Sequence, residues 1–186
     1  MPDHTKDHVS ALFELEVCDE DGTVVNSVSG MSDSFLTNFI LLLQAAMGNA
    51  AVAITDTSGV SRSCLGFSCV AATYGITNSS IVVGTGTNTV LPGNYALQAQ
   101  NLTMEYAPLM LTQPIAPSIV GSNIESMVCK RTFNNNTGAT VNINELGICV
   151  ISSTFSILIL RDVLGVAVPV LDHQTLHVSY TFRTAI

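Results

Sequence analysis

The chain has 186 residues, enough for one domain with a full hydrophobic core and no stapling cross-links. Hydrophobic residues make up 47% of it and charged residues only 11%, against about 25% in an ordinary soluble domain. The net charge is −8, and six Lys and Arg with no cluster beyond Lys130-Arg131 argue against direct nucleic-acid contact, because no basic patch is there to meet phosphates.

A surface this poor in charge, with Asn, Ser and Thr supplying its polarity, fits a subunit that is largely covered in an assembly. Residues 1–8 read as a polar N-terminal arm. They lack the basic start and apolar stretch of a secretory signal, so the sequons at Asn78, Asn101 and Asn135 read as products of an Asn- and Thr-rich surface. Residues 9–30 read as a hairpin. Val9, Ala11, Phe13, Leu15 and Val17 alternate with their neighbours at the period of a half-buried strand. Asp19-Glu20-Asp21-Gly22 then forms a turn before Thr23-Val24-Val25. These acids lack the twelve-residue ligand pattern and closing Glu of a calcium loop.

Residues 32–48 are predicted to be helical. Ser32 or Asp33 can cap the start. Phe35, Leu36, Phe39, Ile40, Leu42, Leu43, Ala46 and Met47 make a broad apolar face, and Gly48-Asn49 ends it. Thr37, Asn38 and Gln44 interrupt the run, which is too short to span a bilayer.

Residues 50–186 are predicted to form a β-sandwich. Strands are expected over Ala50–Thr55, Ser63–Thr73, Ile81–Val83, Glu125–Phe133, Ala139–Asn144, Leu146–Ile151, Phe155–Leu160 and Thr175–Arg183. Leu176, Val178, Tyr180 and Phe182 share one face of the last strand. Turns are expected at Asp56-Thr57-Ser58-Gly59 and Asn134–Gly138. Between the strands, 84–114 is a long connection through Pro92-Gly93-Asn94, of the kind that is usually functional or interfacial. The fold class is therefore a single mostly-β domain, an antiparallel β-sandwich or jelly roll with one N-terminal amphipathic helix.

A search for chemistry comes up empty. Gly84-Thr85-Gly86 lacks the Lys of a phosphate loop and the third glycine of a dinucleotide fingerprint, so a close approach of two backbones explains it better. His4 and His8 lie at the N-terminus. On a strand, His173 and His177 would stand about 13 Å apart, too far to share a metal. No nucleophile elbow accompanies them. Cys18, Cys64, Cys69, Cys129 and Cys149 form no C-x-x-C pair and read as buried thiols, with one or two disulfides, within or between subunits, as the alternative. No catalytic residue, cofactor or metal ligand is predicted, and the chain reads as non-enzymatic.

Four segments carry a resemblance. They are Ser32–Phe39; Ile81-Val82-Val83-Gly84-Thr85-Gly86-Thr87 leading to Asn94-Tyr95-Ala96-Leu97; Arg131-Thr132-Phe133 through Asn144-Glu145-Leu146-Gly147; and Leu160-Arg161-Asp162-Val163 followed by Val168-Pro169-Val170. In this order the chain resembles small structural proteins of tailed-bacteriophage virions, of the capsid decoration, neck or tail accessory type. The resemblance implies a virion location after synthesis in the host cytoplasm. Its implied partners are copies of the chain, as a trimer or ring, and other virion proteins, with no membrane. A receptor-binding or fibre-tip module is the alternative. Where the class has a glycine-containing turn before the last strand, this chain has Leu171-Asp172-His173-Gln174.

Phe35, Leu36, Phe39, Ile40 and Leu43 of the helix, with Tyr95 and Leu97 of the long connection, are the candidate interface. Glu145 is expected to form a structural ion pair with Arg131 or Arg161 that fixes strand register, with an ordinary surface salt bridge as the alternative.

Overall fold

Strand alternation and turn chemistry make this chain almost entirely antiparallel β. The computed structural model describes residues 8–32, 34–48, 50–65, 73–112 and 125–185. In chain order they form β1 (His8–Cys18), β2 (Val24–Ser32), α1 (Thr37–Gly48), β3 (Val52–Thr55), β4 (Ser61–Cys64), β5 (Ser80–Gly84) and β6 (Glu105–Tyr106). There follow β7 (Met110–Thr112), β8 (Glu125–Asn134), β9 (Val141–Ser152), β10 (Phe155–Val170) and β11 (Thr175–Ala185). Residues 1–7 of the arm, Asp33, Asn49, Cys69 and Pro114 fall outside the described residues.

Two sheets face each other. The larger runs β2-β1-β11-β8-β6, with β7 also paired to β8, and the smaller runs β10-β9-β5. Leu15, Val17, Phe133, Leu176, Val178 and Tyr180 of the first pack against Ile81, Val83, Ile143, Leu146, Leu158 and Leu160 of the second. The Tyr180 hydroxyl crosses the gap and donates to Asp162 Oδ2 at 2.8 Å. Burial, and then the Asp162 carboxylate, push Tyr180 well above its ordinary value. The expected mostly-β, sandwich-like architecture with one helix is what the chain adopts.

The first hairpin runs from His8 to Ser32, a little beyond the expected 9–30. Its turn is closed by Gly22 N–H on Asp19 O, with Gly22 at φ +85°. The Asp19 and Asp21 carboxylates both accept the Thr23 N–H at 2.9 Å. The acids are therefore turn-formers. Across the strands the Phe13 ring lies on Gly30, where a Cβ would stand 2.6 Å from Phe13 Cζ.

Three expected boundaries shift. The helix begins at Thr37 and not at the Ser32–Phe35 end, because Phe35 bridges Leu160 and Leu36 N–H donates to Ile159 O. The two strands expected on either side of Glu145 are one continuous β9, because that carboxylate is paired and needs no water. β10 runs on past Leu160 to Val170. β4 is Ser61–Cys64, so of the run expected over Ser63–Thr73 only Ser63 and Cys64 lie in it, and residues 66–72 lie outside the described residues. The long connection holds the short β6 and β7.

Helix α1 packs at one end of the smaller sheet. Leu42 joins Ile54, Cys64, Val150 and Ile157 in a second apolar cluster. The buried face is narrower than the sequence suggests and includes a polar residue. Asn38 is buried because its Nδ2 donates to Thr55 O at 3.0 Å and Leu158 O at 3.3 Å, tying the helix to β3 and β10.

The turn between β10 and β11 takes a glycine geometry without a glycine: His173 has φ +64°. Asn135 O accepts the His173 N–H at 2.7 Å. Asp172 Oδ1 accepts Gly138 N–H at 2.8 Å, so the turns before β9 and before β11 brace each other. A left-handed residue with a side chain costs about 1–2 kcal/mol, most for a β-branched one. His173→Val is therefore expected to lose about 1–2 kcal/mol in urea unfolding, while His173→Gly equals or exceeds the wild type. Equal midpoints for all three chains would show that the turn carries no strain.

Candidate assembly surface

The polar centre of the molecule is built on β9 and β10. Arg161 lies opposite Gly147, and Glu145 opposite Val163, so the two side chains are diagonal neighbours on one face of the smaller sheet. Arg161 Nη2 stands 2.8 Å from Glu145 Oε2, and Nε donates to the same oxygen at 2.9 Å. The side chains are 2% and 0% exposed, so the pair is a buried one with Arg161 and not a surface bridge.

The carboxylate also organises the long connection. Glu145 Oε1 accepts Gly86 N–H at 3.1 Å and Ala99 N–H at 2.7 Å, and Oε2 accepts Gln98 N–H at 3.0 Å. Arg161 donates onward to Asn94 Oδ1 at 3.0 Å and Asn88 O at 3.1 Å. Both oxygens of Glu145 are thus taken by donors of the chain itself. At Gly84 two backbones approach as expected, a Cβ there standing 2.6 Å from Ala99 O, whereas at Gly86 the close neighbours are the Gln98 and Glu145 side chains. A Cβ on Gly84 or on Gly86 would stand 2.6 Å or 2.5 Å from Glu145 Oε1. Gln98 and Asn88 were not singled out by sequence, and Asn94 was named only within its turn and its segment of the resemblance, without this role. The Gly84-Thr85-Gly86 approach and the Pro92-Gly93-Asn94 turn are the only signals that could have pointed to them.

Arg131 does not pair with Glu145. Its side chain is fully buried between sheet and connection. It donates to the carbonyls of Ala107 at 2.9 Å, Ser79 at 2.7 Å and Ile81 at 3.0 Å, and to that of Ile76. Its Cζ lies 4.8 Å from the Tyr106 ring centre and 5.8 Å from that of Phe133. Among the described residues no carboxylate is in ion-pair range. Burial pushes the guanidinium down to about 10, and carbonyl dipoles and ring faces take the place of a counter-ion.

The connection so held meets the helix on one flank. Thr37 N–H donates to Pro92 O at 2.9 Å. Tyr95 packs on Gly59 of the β3–β4 turn, 3.3 Å from where a Cβ would be. Leu91 and Tyr95 are exposed here and help to line a pocket of about 340 Å³, together with Asn88, Asn94, Leu97, Gln98 and Arg161 among others. On the helix, Ile40 is 60% exposed, Met47 is 86% exposed and Leu43 is exposed between them. Their i, i+3, i+7 spacing makes one stripe. The helix, TNFILLLQAAMG, carries no charge.

The candidate interface divides accordingly. Ile40, Leu43 and Tyr95 are exposed as expected. Leu36 and Leu97 are not available to a partner: both are core residues, Leu36 held beneath β10 and Leu97 packed over Gly147. Phe35 and Phe39 are half-buried and stack on each other at 4.7 Å, with Phe35 reaching Phe182 at 6.4 Å. Met47, Leu91 and Val60 join the exposed set.

The remaining candidates are structural. His177 Nδ1 is 2.8 Å from Thr132 Oγ1, and His173 is exposed beside Asp172. Cys18, Cys129 and Cys149 are buried thiols outside any disulfide, and burial alone pushes Cys129 up to about 11 and Cys149 up to about 12. Cys129 and Cys149 therefore stay protonated and are poor nucleophiles. Cys64 is buried with its sulfur 3.2 Å from Ser152 Oγ. Among the described residues, no group of three His, Cys, Asp or Glu is placed to hold a metal, and no helix is long and apolar enough to cross a membrane. Comparison with known proteins finds no matching family model, no matching curated protein and no matching solved structure.

Proposed function

We propose that this chain is a structural subunit of a tailed-phage virion that works by self-association and by binding capsid, neck or tail proteins. The observation that carries the assembly half is the uncharged helix. A chain with 11% charged residues sets Ile40, Leu43 and Met47 into solvent on one stripe, beside exposed Leu91 and Tyr95. Leaving a Leu- or Ile-sized side chain exposed forgoes about 1.5–3 kcal/mol that burial would supply, and a contact between subunits recovers it. The buried Glu145–Arg161 pair keeps the neighbouring connection in one shape, which lowers the ordering cost of docking. The word phage rests on the four-segment resemblance alone.

Ile40→Glu/Leu43→Glu is the direct test. These side chains are solvent-facing, so the thermal midpoint is expected to hold while the oligomer seen by sedimentation, and binding to particles lacking the protein, falls at least tenfold. A wild type that stays monomeric, ignores particles and instead binds glycans or cells would favour the receptor-binding alternative, with the Asn88–Tyr95 pocket as its site.

A further inference from the structure

This inference rests on the self-association reading and names where two copies meet. β2 is the outer strand of the larger sheet. β1 pairs with one of its edges, and among the described residues no strand pairs with the other. The other margins are closed, short or broken: β3 and β4, a separate two-stranded sheet, have four residues each, and β10 beyond Arg161 loses register between Val163 and Val168 and carries Pro169. Along β5, Thr85 N–H donates to Ala99 O and Asn101 N–H to Val83 O. Along β10, Leu36 N–H donates to Ile159 O and Arg161 N–H to Ser34 O. At the far margin of the larger sheet, β6 and β7 have only two and three residues.

An open strand edge offers a row of N–H and C=O groups to any passing strand, and proteins blunt such edges with Lys, Pro, shortness or cover. β2, VVNSVSGMS, has nine residues with no charge and no proline. Its one irregularity lies at Val25, where the register slips against Val17 and Cys18, so Asn26–Ser32 is regular.

Charge decides what can sit there. A chain of net charge −8 repels its own copies, so they can approach closely only where both are neutral. Antiparallel pairing about Ser29 sets this neutral stretch against itself. Glu14 lies opposite Ser29 on β1, one strand further in. In the pair it would stand about three strand spacings, roughly 14 Å, from its counterpart, beyond the ~8 Å screening length of physiological salt. A basic partner, by contrast, finds no acid on the edge to recognise. We infer that β2 pairs antiparallel with β2 of a second copy, extending the larger sheet across a two-fold axis. This contact is additional to the helix stripe.

The test uses the full chain with Ser29→Lys and Ser29→Glu, at an exposed position that tolerates either side chain. Wild type is expected to sediment in even-numbered species, the smallest at twice the 19.6 kDa chain mass. Each variant alone is expected to pair at least tenfold more weakly, and an equimolar mixture is expected to recover pairing as a heterodimer in native mass spectrometry. In wild type, amide protection over Asn26–Ser32 is expected to rise with protein concentration, a measurement that needs no variant. Variants that assemble like wild type, with protection independent of concentration, overturn the edge contact. If Ile40→Glu/Leu43→Glu still dissociates that assembly, the self-association reading survives. A wild type that is monomeric throughout sinks both.

Discussion

Glu145→Gln is expected to destabilise the fold by about 3–5 kcal/mol, the usual cost of breaking a buried ion pair by removing one partner. The chemistry of the pocket makes a Gln a poor substitute despite its shape. Both oxygens of Glu145 face donors: the Gly86 and Ala99 amides on one, the Gln98 amide and Arg161 on the other. A Gln places an NH₂ against two of them and leaves the Arg161 charge buried without its carboxylate. The cost is a large fraction of the 5–15 kcal/mol by which domains are stable. Denaturant unfolding measures it, and hydrogen exchange should show the Gly86, Gln98 and Ala99 amides opening before the rest. Glu145→Met/Arg161→Met is expected to cost less than the two single changes summed, because neither charge is then stranded. It should not return to wild-type stability, since three amides still lose their acceptor. A Gln variant as stable as wild type would mean that water reaches the pair.

Arg131→Met is the second large effect, expected at upwards of about 3 kcal/mol, with each buried acceptor left unsatisfied costing about 1–3 kcal/mol. Four carbonyls, those of Ile76, Ser79, Ile81 and Ala107, depend on one guanidinium. Arg131→Lys is expected to recover less than half of the loss. An ammonium has three donors and no plane to lie on the Tyr106 and Phe133 rings, whereas the guanidinium forks between the 76–81 segment and Ala107 while stacked. Stability of the Lys variant near that of wild type would show that charge alone, and not the fork, holds the 76–81 segment to β8.

These two arginines show where sequence reading stopped. Both stood beside strand-like residues, and both were candidates for Glu145. Their fates differ because of sheet register. Arg161 is a diagonal neighbour of Glu145 across β9 and β10, while Arg131 sits on β8 in the opposite sheet. Periodicity reports which residues share a face of one strand and says nothing of which strands become neighbours. The same gap explains the split read into β9: an acid inside an apolar run looks like a strand end until its partner is known.

The sequence by itself determined the mostly-β class, the Asp19–Gly22 hairpin, the buried face of β11 and the close approach of two backbones at Gly84. Each follows from spacing or from local backbone chemistry. It also determined the scarcity of charge that makes an assembling subunit the best reading. Only the tertiary structure decided that Leu36 and Leu97 belong to the core, that His173 holds a left-handed turn, that Glu145 clamps a connection some 50 residues before it, and that β2 forms an outer margin of the larger sheet. Those outcomes depend on long-range pairing, where the contact a side chain makes is set by the neighbour that the fold brings to it.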